Sequence, residues 1–427
     1  MEFQFYDRFE REGSGSNPLA DAVIGNAALN RPLRSPLPEF HEPYIDRYFL
    51  RTTEILKAEG LNPWVKAQVF IRKGPGEFRG IEEALSIIDK YSLLREHGGS
   101  VYALPEGSKY EAGDTVMVLE GPLQDLVEFE TMYLGVITAE TTKASDGRPD
   151  IDPDDVRENM ARVVEAAEGR PVIYMGARHW RFDRDAVLSQ AAFEGGATDC
   201  STDIGAATVG KKSIGTIPHI LENACAFVHG KDRAVLESTL AFDRVIPPEV
   251  PRIALVDYNN REIDDSLACA EALGKRLFGL RVDTCGENVM QGALTLSDIN
   301  ERTSLSALWQ DIDLPDPESR NGRYWYGSGV TVTGVYALRR ALDEAGFKDV
   351  KIVLSSGFGS TAKIKAFTDA EKQLGVRLFD ILGVGGVFHA RYATMDVVAA
   401  GQDSSNMQPL SKTGREYHPN FELEKMM

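Results

Sequence analysis

Residues 176–219 read GARHWRFDRDAVLSQAAFEGGATDCSTDIGAATVGKKSIGTIPH, and this stretch decides the fold. An apolar run over residues 172–175 leads into Gly-Ala-Arg-His, and a helical pattern follows. A Gly-Gly break then opens onto Asp-Cys-Ser-Thr, and a Lys-Lys pair precedes Ile-Gly-Thr-Ile-Pro-His. Polar side chains therefore come directly after short apolar or glycine-rich segments. A β/α barrel carries its functional groups in this way, on the loops that follow its strands.

The alternation of strands and helices continues to about residue 396. Six apolar runs have the character of strands: VIYMGA (172–177), KSIGTI (212–217), RIALVDY (252–258), RLFGLRVD (276–283), VKIVLSS (350–356) and FDILGVGG (379–386). We expect one more strand around 198–202. Helical patterns such as 264–274 and 360–374 lie between the runs, which indicates parallel βαβ units covered on both faces. The prediction is an α/β fold with an irregular α/β barrel rather than an open sheet.

The parts outside this alternation suggest further units. Residues 1–40 are rich in Gly, Ser, Asn, Pro and Arg, so we expect an extended arm with little structure of its own. Residues 41–140 mix helical and strand patterns and predict a small N-terminal α/β domain. The barrel then occupies residues 141–396, interrupted by a polar, irregular insertion at 287–327. Trp309, Trp325 and Tyr326 of this insertion are candidates for covering the mouth of the barrel.

Composition excludes several classes of function. The net charge of −18, from 47 basic and 65 acidic residues, argues against nucleic-acid binding, which draws its affinity from excess basic charge. No apolar run is long enough to span a bilayer, and residues 1–17 lack a signal-peptide core, so we expect a cytoplasmic protein that does not bind membranes. The four cysteines form no CxxC pair, which argues against a zinc knuckle or a disulfide framework.

The predicted strand ends carry a series of polar and glycine residues. In chain order they are Arg178 with His179, Asp199, His219, Asp257, Arg281 with Asp283, Ser355 with Ser356 and Gly357, and Gly385 with Gly386. Any one of these positions is more often structural than functional. The whole series is stronger evidence for a functional site than any single position, because a barrel brings the ends of all its strands to one mouth.

The chemistry that this series indicates is phosphate binding. The SSGFGS segment (355–360) and the GVGG segment (383–386) each follow an apolar strand, and bare glycine backbone lets N–H groups approach phosphate oxygens. The alternative is that these glycines only permit tight turns. Arg281 and Asp283 are two apart on one strand and face the same way, so the arginine can hold a carboxylate while the aspartate orients a sugar hydroxyl or a metal-bound water.

Taken together, the motifs resemble those of nicotinate phosphoribosyltransferases, closest to the shorter archaeal-type branch. The resemblance covers roughly residues 44–415. Its marks are DRYFLRTTEIL (46–56), the ET and LG pairs within 130–135, GARH (176–179), GTIPH (215–219), ALVD (254–257), RVDT (281–284), KIVLSSG (351–357), GVGG (383–386) and MDVV (395–398). Cys285 stands where the family usually has proline.

The resemblance implies a type II phosphoribosyltransferase fold, with an N-terminal α/β sandwich domain, completed by residues 397–427, packed on an irregular α/β barrel. It implies transfer of phosphoribosyl from 5-phosphoribosyl 1-diphosphate to nicotinate in NAD biosynthesis, with Mg²⁺ and with ATP as a co-substrate acting through a phosphohistidine. It also implies a homodimer or higher homo-oligomer with its sites at subunit interfaces.

Site residues follow from the same resemblance. His219 resembles the phosphorylated histidine, and Arg178 and Arg281 resemble the arginines near the nicotinate carboxylate and the phosphates. Asp283 resembles the carboxylate that binds the ribose or Mg²⁺, the metal being held chiefly through the diphosphate. Tyr48 resembles the aromatic residue that a neighbouring subunit stacks on the pyridine ring.

The remaining candidates line the substrate. Gly357, Gly385 and Gly386 resemble the cradle of the 5′-phosphate, and Ser356 belongs to the same loop. Asp199 is a looser match to an acidic residue of the family. Asp257 is a substrate-binding candidate because it ends a predicted strand. Two alternatives stay open: another type II phosphoribosyltransferase acting on nicotinamide or quinolinate, and a non-catalytic phosphosugar-binding protein of the same fold.

Overall fold

The computed structural model describes residues 36–301, 307–310 and 312–427, so most of the predicted arm lies outside the described residues. The α-helices are α1 (Arg47–Ala58), α2 (Ile81–Tyr91), α3 (Glu130–Asp146), α4 (Pro153–Ala166), α5 (Asp185–Glu194), α6 (Asp203–Ala207), α7 (His219–His229), α8 (Ala234–Val245), α9 (Glu262–Leu273), α10 (Leu296–Asn300), α11 (Val332–Glu344) and α12 (Thr361–Leu374). The strands are β1 (Trp64–Ile71), β2 (Gly76–Glu77), β3 (Ser100–Ala103), β4 (Lys109–Tyr110), β5 (Thr115–Pro122), β6 (Val172–Tyr174), β7 (Asp199–Cys200), β8 (Arg252–Leu255), β9 (Leu277–Val282), β10 (Lys351–Leu354), β11 (Ile381–Val384), β12 (Ala393–Gly401), β13 (Gln408–Pro409) and β14 (Glu424–Lys425). Within these ranges, every helix is too short or too polar to cross a bilayer.

A curled, all-parallel sheet forms the barrel half of the molecule. Its strand order is β7-β6-β11-β10-β9-β8, and helices connect successive strands. The strands are buried almost throughout because helices or the barrel interior cover both faces, which explains their continuous apolar sequence. The predicted α/β fold with an irregular barrel is confirmed. Five of the six predicted runs are strands, and the segment suspected at 198–202 is β7.

The prediction of a strand at 212–217 is wrong. Residues 209–218 contain no strand and instead pass between the two edge strands β7 and β8 without pairing with either as a ladder. Helix α1 holds this segment: the Arg51 guanidinium donates to the Gly215 carbonyl. A Cβ at Gly215 would lie 2.7 Å from the backbone nitrogen of Tyr48. Packing against α1 therefore holds this segment in place although it does not form a strand.

A second, antiparallel sheet has the order β13-β12-β1-β5-β3-β14. Strand β1 pairs with β5 on one side and with β12 on the other, so strands from both ends of the chain build one sheet. Helix α3 joins the two halves and is buried on nearly all sides. Gly135 permits this contact, because a Cβ there would collide with the carbonyl oxygen of Trp180 in the turn after β6.

The aromatic residues of the insertion do not cover the mouth of the barrel. Trp309, Trp325 and Tyr326 are buried within the main apolar core of the barrel half. Trp309 stacks on Tyr336 of α11 with ring centroids 5.3 Å apart. Burial of these large side chains anchors the described part of the insertion to the outer helices, which explains their position in an otherwise polar segment.

Candidate active site

Asp283 lies at the centre of the charged groups at the mouth of the barrel. It follows β9, and its Oδ2 is 4.0 Å from Nη2 of Arg281, two residues earlier. Burial opposes the charge on Arg178, Lys363 and Lys412, and the negative charge of Asp283 favours it; the net pKa is raised for Arg178 and Lys412 and lowered for Lys363. These cations come from three separate parts of the chain. The end of β9 is therefore the point at which they converge.

Arg178 occupies the short 3-10 turn after β6 and pairs with the first turn of α3. Its Nη1 donates to Oε1 of Glu130 over 2.9 Å, and Glu130 is buried. Burial raises the pKa of Glu130 to about 8, against the opposing pull of Arg178. Burial also opposes the charge on Arg178, but the nearby Tyr48 and Glu130 hold its pKa above the ordinary value. Tyr48 thus lies beside Arg178 of its own chain.

His219, Asp257 and Lys412 form a triad in which Asp257 and Lys412 are buried and His219 is partly exposed. His219 begins α7, and its Nε2 lies 2.9 Å from Oδ1 of Asp257 and 3.1 Å from Nζ of Lys412. Lys412 also donates to Oδ2 of Asp257. Burial opposes ionisation of Asp257, but Lys412 and His219 hold its pKa well below its usual range. Burial and then Lys412 lower the pKa of His219, which favours a neutral imidazole whose orientation the carboxylate fixes.

The two glycine loops touch each other beside this cluster. A Cβ at Gly359 would collide with the carbonyl oxygen of Gly386. Ser356 and Gly357 both adopt left-handed backbone, with φ values of +67° and +84°, and Ser356 is strained there because it carries a side chain. Gly385 packs against His179, whose Nδ1 lies 2.9 Å from the Gly385 carbonyl. The loops predicted to bind phosphate therefore form one continuous backbone surface.

We expect Gly385→Ala to lower the free energy of unfolding by about 1–3 kcal/mol, the cost of forcing atoms into a filled space. Its Cβ would collide with the His179 ring and lie 2.7 Å from the Met175 carbonyl oxygen. Urea denaturation measures the change. Gly286→Ala is the matched control, because a Cβ at Gly286 meets no heavy atom within 4 Å. Equal stability of the two variants would contradict the packing described here.

A cavity of about 460 Å³ extends from this cluster into the barrel. Its inner wall is apolar and includes Ile173, Ile253 and Val353. Tyr48 and Arg281 line it as well, and Nε of Arg281 is buried without a hydrogen-bond partner among the described residues. Charged side chains also line the cavity, among them Arg47, Lys211 and Lys212. An apolar inner wall beside basic groups suits a flat ring that carries an anionic group.

Asp199 is the one predicted site residue that the structure leaves apart from this cluster. It lies on the edge strand β7 and is buried, and burial raises its pKa against the opposing charge of Lys211. Its Oδ1 has no hydrogen-bond partner among the described residues. The contacts of Asp199 join it to the region around Lys211 rather than to Asp283.

Comparison with known proteins points to one family. Residues 46–139 match the family model described as the N-terminal domain of quinolinate phosphoribosyl transferase. Two curated nicotinate phosphoribosyltransferases from strains of Mycobacterium tuberculosis are 28% identical over 179 residues, which are 42% of this chain and 34% of theirs. In this part of its sequence the chain is similar to the nicotinate phosphoribosyltransferases. It aligns with about a third of the length of these curated relatives.

Solved structures of nicotinate phosphoribosyltransferases share the fold of this chain. The structure from Vibrio cholerae has a TM-score of 0.55 at 12% identity and covers 90% of each chain. The structure from Porphyromonas gingivalis has a TM-score of 0.53 at 15% identity and covers 87% of this chain and 94% of its own. At these identities the likeness establishes the type II phosphoribosyltransferase fold. Membership of the archaeal-type branch stays a prediction.

Four residues in or near the candidate site could not be predicted from the sequence: Glu130, Glu222, Lys363 and Lys412. Glu130 stands in a quoted motif but had no assigned role. Lys363 and Lys412 had no sequence signal, because each reaches the mouth from a helix interior or a distant loop. Glu222 follows His219 by one turn of α7 and is fully buried, with neither carboxyl oxygen hydrogen-bonded among the described residues. Burial raises the pKa of Glu222 well above its ordinary value.

Proposed function

We propose that the protein transfers phosphoribosyl from 5-phosphoribosyl 1-diphosphate to nicotinate, giving nicotinate mononucleotide and diphosphate, as a cytoplasmic step of NAD biosynthesis. One observation carries the proposal. Asp283 lies among Arg178, Arg281, Lys363 and Lys412, and Arg281, two residues before it, lines a cavity with an apolar inner wall. This arrangement suits a substrate that combines phosphates, a ribose and an aromatic carboxylate.

The reaction breaks the C1–O bond of the ribose to diphosphate and forms a bond from C1 to the pyridine nitrogen. Positive charge develops on the ribose and negative charge on the leaving diphosphate, so a mixed site of one carboxylate and several cations stabilises both. Asp283 faces the ribose and Arg178 the departing diphosphate. The nicotinate ring enters the cavity beside Tyr48, and Arg281 binds its carboxylate.

The phosphate cradle is assigned to the two glycine loops. The two loops meet where Gly359 packs against the Gly386 backbone, and bare glycine backbone of this kind suits the binding of phosphate oxygens. Burial of Ser355 beneath its loop, where its backbone nitrogen donates to Val282 over 3.0 Å, keeps the cradle level with the end of β9. The 5′-phosphate binds here.

Magnesium fits this site as an ion carried by the substrate. The described residues contain no group of three or more His, Cys, Asp or Glu side chains arranged to hold a metal. Mg²⁺ in proteins is usually held by one or two carboxylates together with substrate phosphates, and Asp283 is a carboxylate suited to that role. The bound ion would neutralise charge on the diphosphate.

Radiolabelled bases separate the candidate reactions. Purified protein is incubated with Mg²⁺, 5-phosphoribosyl 1-diphosphate and nicotinate, nicotinamide or quinolinate. We expect product from nicotinate. Product from nicotinamide or quinolinate alone would show that the protein uses that base instead of nicotinate, while the reaction would still be a phosphoribosyl transfer. No product from any base would favour a non-catalytic phosphosugar-binding protein. Light scattering of the same sample tests the proposed homodimer or higher homo-oligomer with sites at its interfaces.

We also propose that ATP is a co-substrate and phosphorylates His219. A phosphoryl group there would lie at the N-terminus of α7, where the helix dipole and the nearby Lys412 favour negative charge. We expect His219→Ala to abolish ATP stimulation while retaining basal transfer, measured as initial rates with and without ATP. His229→Ala, at the exposed end of the same helix, serves as control. Undiminished ATP stimulation of the His219 variant would refute this role.

A further inference from the structure

Lys363 is a cation near the mouth to which neither the motifs nor the proposed mechanism gives a role. It is the third residue of α12, and its side chain turns back toward the SSGFGS loop. Nζ donates to the Ser356 carbonyl over 3.0 Å and lies 4.5 Å from the centroid of the Phe358 ring. The Lys363 side chain therefore packs against the loop that precedes α12.

Among the described residues, no acidic side chain pairs closely with the charge of Lys363. No carboxylate of the described residues comes within 4.0 Å of its Nζ, and the only acidic residue that acts on it is the more distant Asp283. Burial lowers the pKa of the ammonium to about 8. An ammonium group has three N–H donors, and the Ser356 carbonyl uses one. A half-buried cation with spare donors costs free energy unless an anion fills the space in front of it.

The position of Nζ indicates where that anion binds. A Cβ at Gly357 would lie 3.6 Å from Nζ, so the ammonium stands directly beside bare backbone of the loop. Gly357 is exposed and left-handed, and the same loop touches Gly386 of the second glycine loop. Cation and glycine backbone therefore face one volume.

We propose that Lys363 binds an oxygen of the 5′-phosphate of the phosphoribosyl substrate, together with the backbone of the two glycine loops. The inference rests on the proposed function and adds a side-chain ligand to its phosphate cradle. A lysine is a point charge with rotatable donors, which suits a phosphate that must enter and leave at each turnover. The same chemistry suits diphosphate, so the test separates the two anions.

Isothermal titration of ribose 5-phosphate and of inorganic diphosphate, each into wild type, Lys363→Met and Lys363→Arg, tests the inference. We expect Lys363→Met to weaken ribose 5-phosphate binding about 10- to 100-fold, as for a lost charged hydrogen bond, and to leave diphosphate binding unchanged. Lys363→Arg should restore part of the loss. KM for 5-phosphoribosyl 1-diphosphate should rise more than kcat falls. Lys365→Met, exposed on the same helix, is the matched control.

The other outcomes each overturn the inference. Unchanged ribose 5-phosphate binding removes Lys363 from the cradle, and loss confined to diphosphate reassigns it to the leaving group. Equal loss of both anions assigns it a structural role in holding Ser356. If Lys363→Met does not fold, the test uses Lys363→Arg. Ribose 5-phosphate binding to that variant that is as weak as the binding of unrelated anions would also overturn the inference. Wild type that binds neither anion and makes no product instead ends the proposed function.

Discussion

Asp283→Asn is expected to lower kcat/KM about 1,000-fold, the upper range for removing one electrostatic group from a transition state. Asp283 is a carboxylate amid four cations, Arg178, Arg281, Lys363 and Lys412. Its loss leaves the developing positive charge on the ribose without a counter-charge and leaves the cations repelling one another. Asparagine keeps the shape, so the change isolates the charge.

Steady-state kinetics with saturating nicotinate measures this effect. The loss should appear in kcat as well as in KM for 5-phosphoribosyl 1-diphosphate, because the charge acts most strongly in the transition state. Asp349→Asn, an exposed aspartate just before β10, is the control for a general charge effect. A variant at position 283 that keeps kcat/KM within about fivefold of wild type would place the developing charge elsewhere.

Lys412→Met is expected to reduce the free energy of unfolding by about 3–5 kcal/mol, the cost of leaving a buried charge without its partner. Asp257 is fully buried, and its carboxylate pairs with the Lys412 ammonium and with Nε2 of His219. Without the lysine, the carboxylate either stays charged in an apolar setting or takes up a proton. Chemical denaturation at pH 7 measures the loss.

The pH dependence of this loss checks its cause. The lowered pKa of Asp257 means that its stabilising contribution is present above its unfolded value of about 3.9 and is lost as the pH falls through the folded value. The difference between wild type and Lys412→Met should therefore shrink as the pH approaches that range. Asp257→Asn combined with Lys412→Met should recover part of the stability, whereas exposed Lys348→Met should change nothing. A pH-independent difference would show that lost packing, not charge, is responsible.

Most of the barrel could be predicted because its strands are covered on both faces. Short, continuous apolar runs such as 252–258 and 379–386, separated by helical patterns, are typical of strands in a parallel sheet. The run at 212–217 failed because it holds only two large apolar residues, and its Gly215 serves the approach of α1. Trp325 was misjudged because its polar surroundings hid the apolar core beneath it.

The site was predictable where position along a strand determines it. Arg178, His219, Arg281 and Asp283 converge because each follows or ends a strand or begins the next helix. Asp199 was grouped with them by the same rule, yet its edge strand turns it toward Lys211.

Lys412 could not be found in this way. It reaches Asp257 from a loop 155 residues further along the chain, and no local pattern encodes such a contact. Lys363 lies close to a recognised loop, but its direction depends on how α12 leaves that loop. Long-range charge pairs of this kind are a property of the assembled fold.

The segment at 209–218 gives the barrel one wall that is not a strand and that joins β7 through the hydrogen bond from the Ile214 nitrogen to the Cys200 carbonyl. Residues of this wall, including Ile214 and Gly215, line the cavity that also contains Tyr48 and Arg281 in its lining. Lengthening or shortening it would change the width of that cavity while every ladder of the sheet stays intact, since loops tolerate insertions that strands do not. Under the proposed function, a change in the size of the base that binds would therefore disturb the sheet least if it were made in this loop, by natural variation or by engineering.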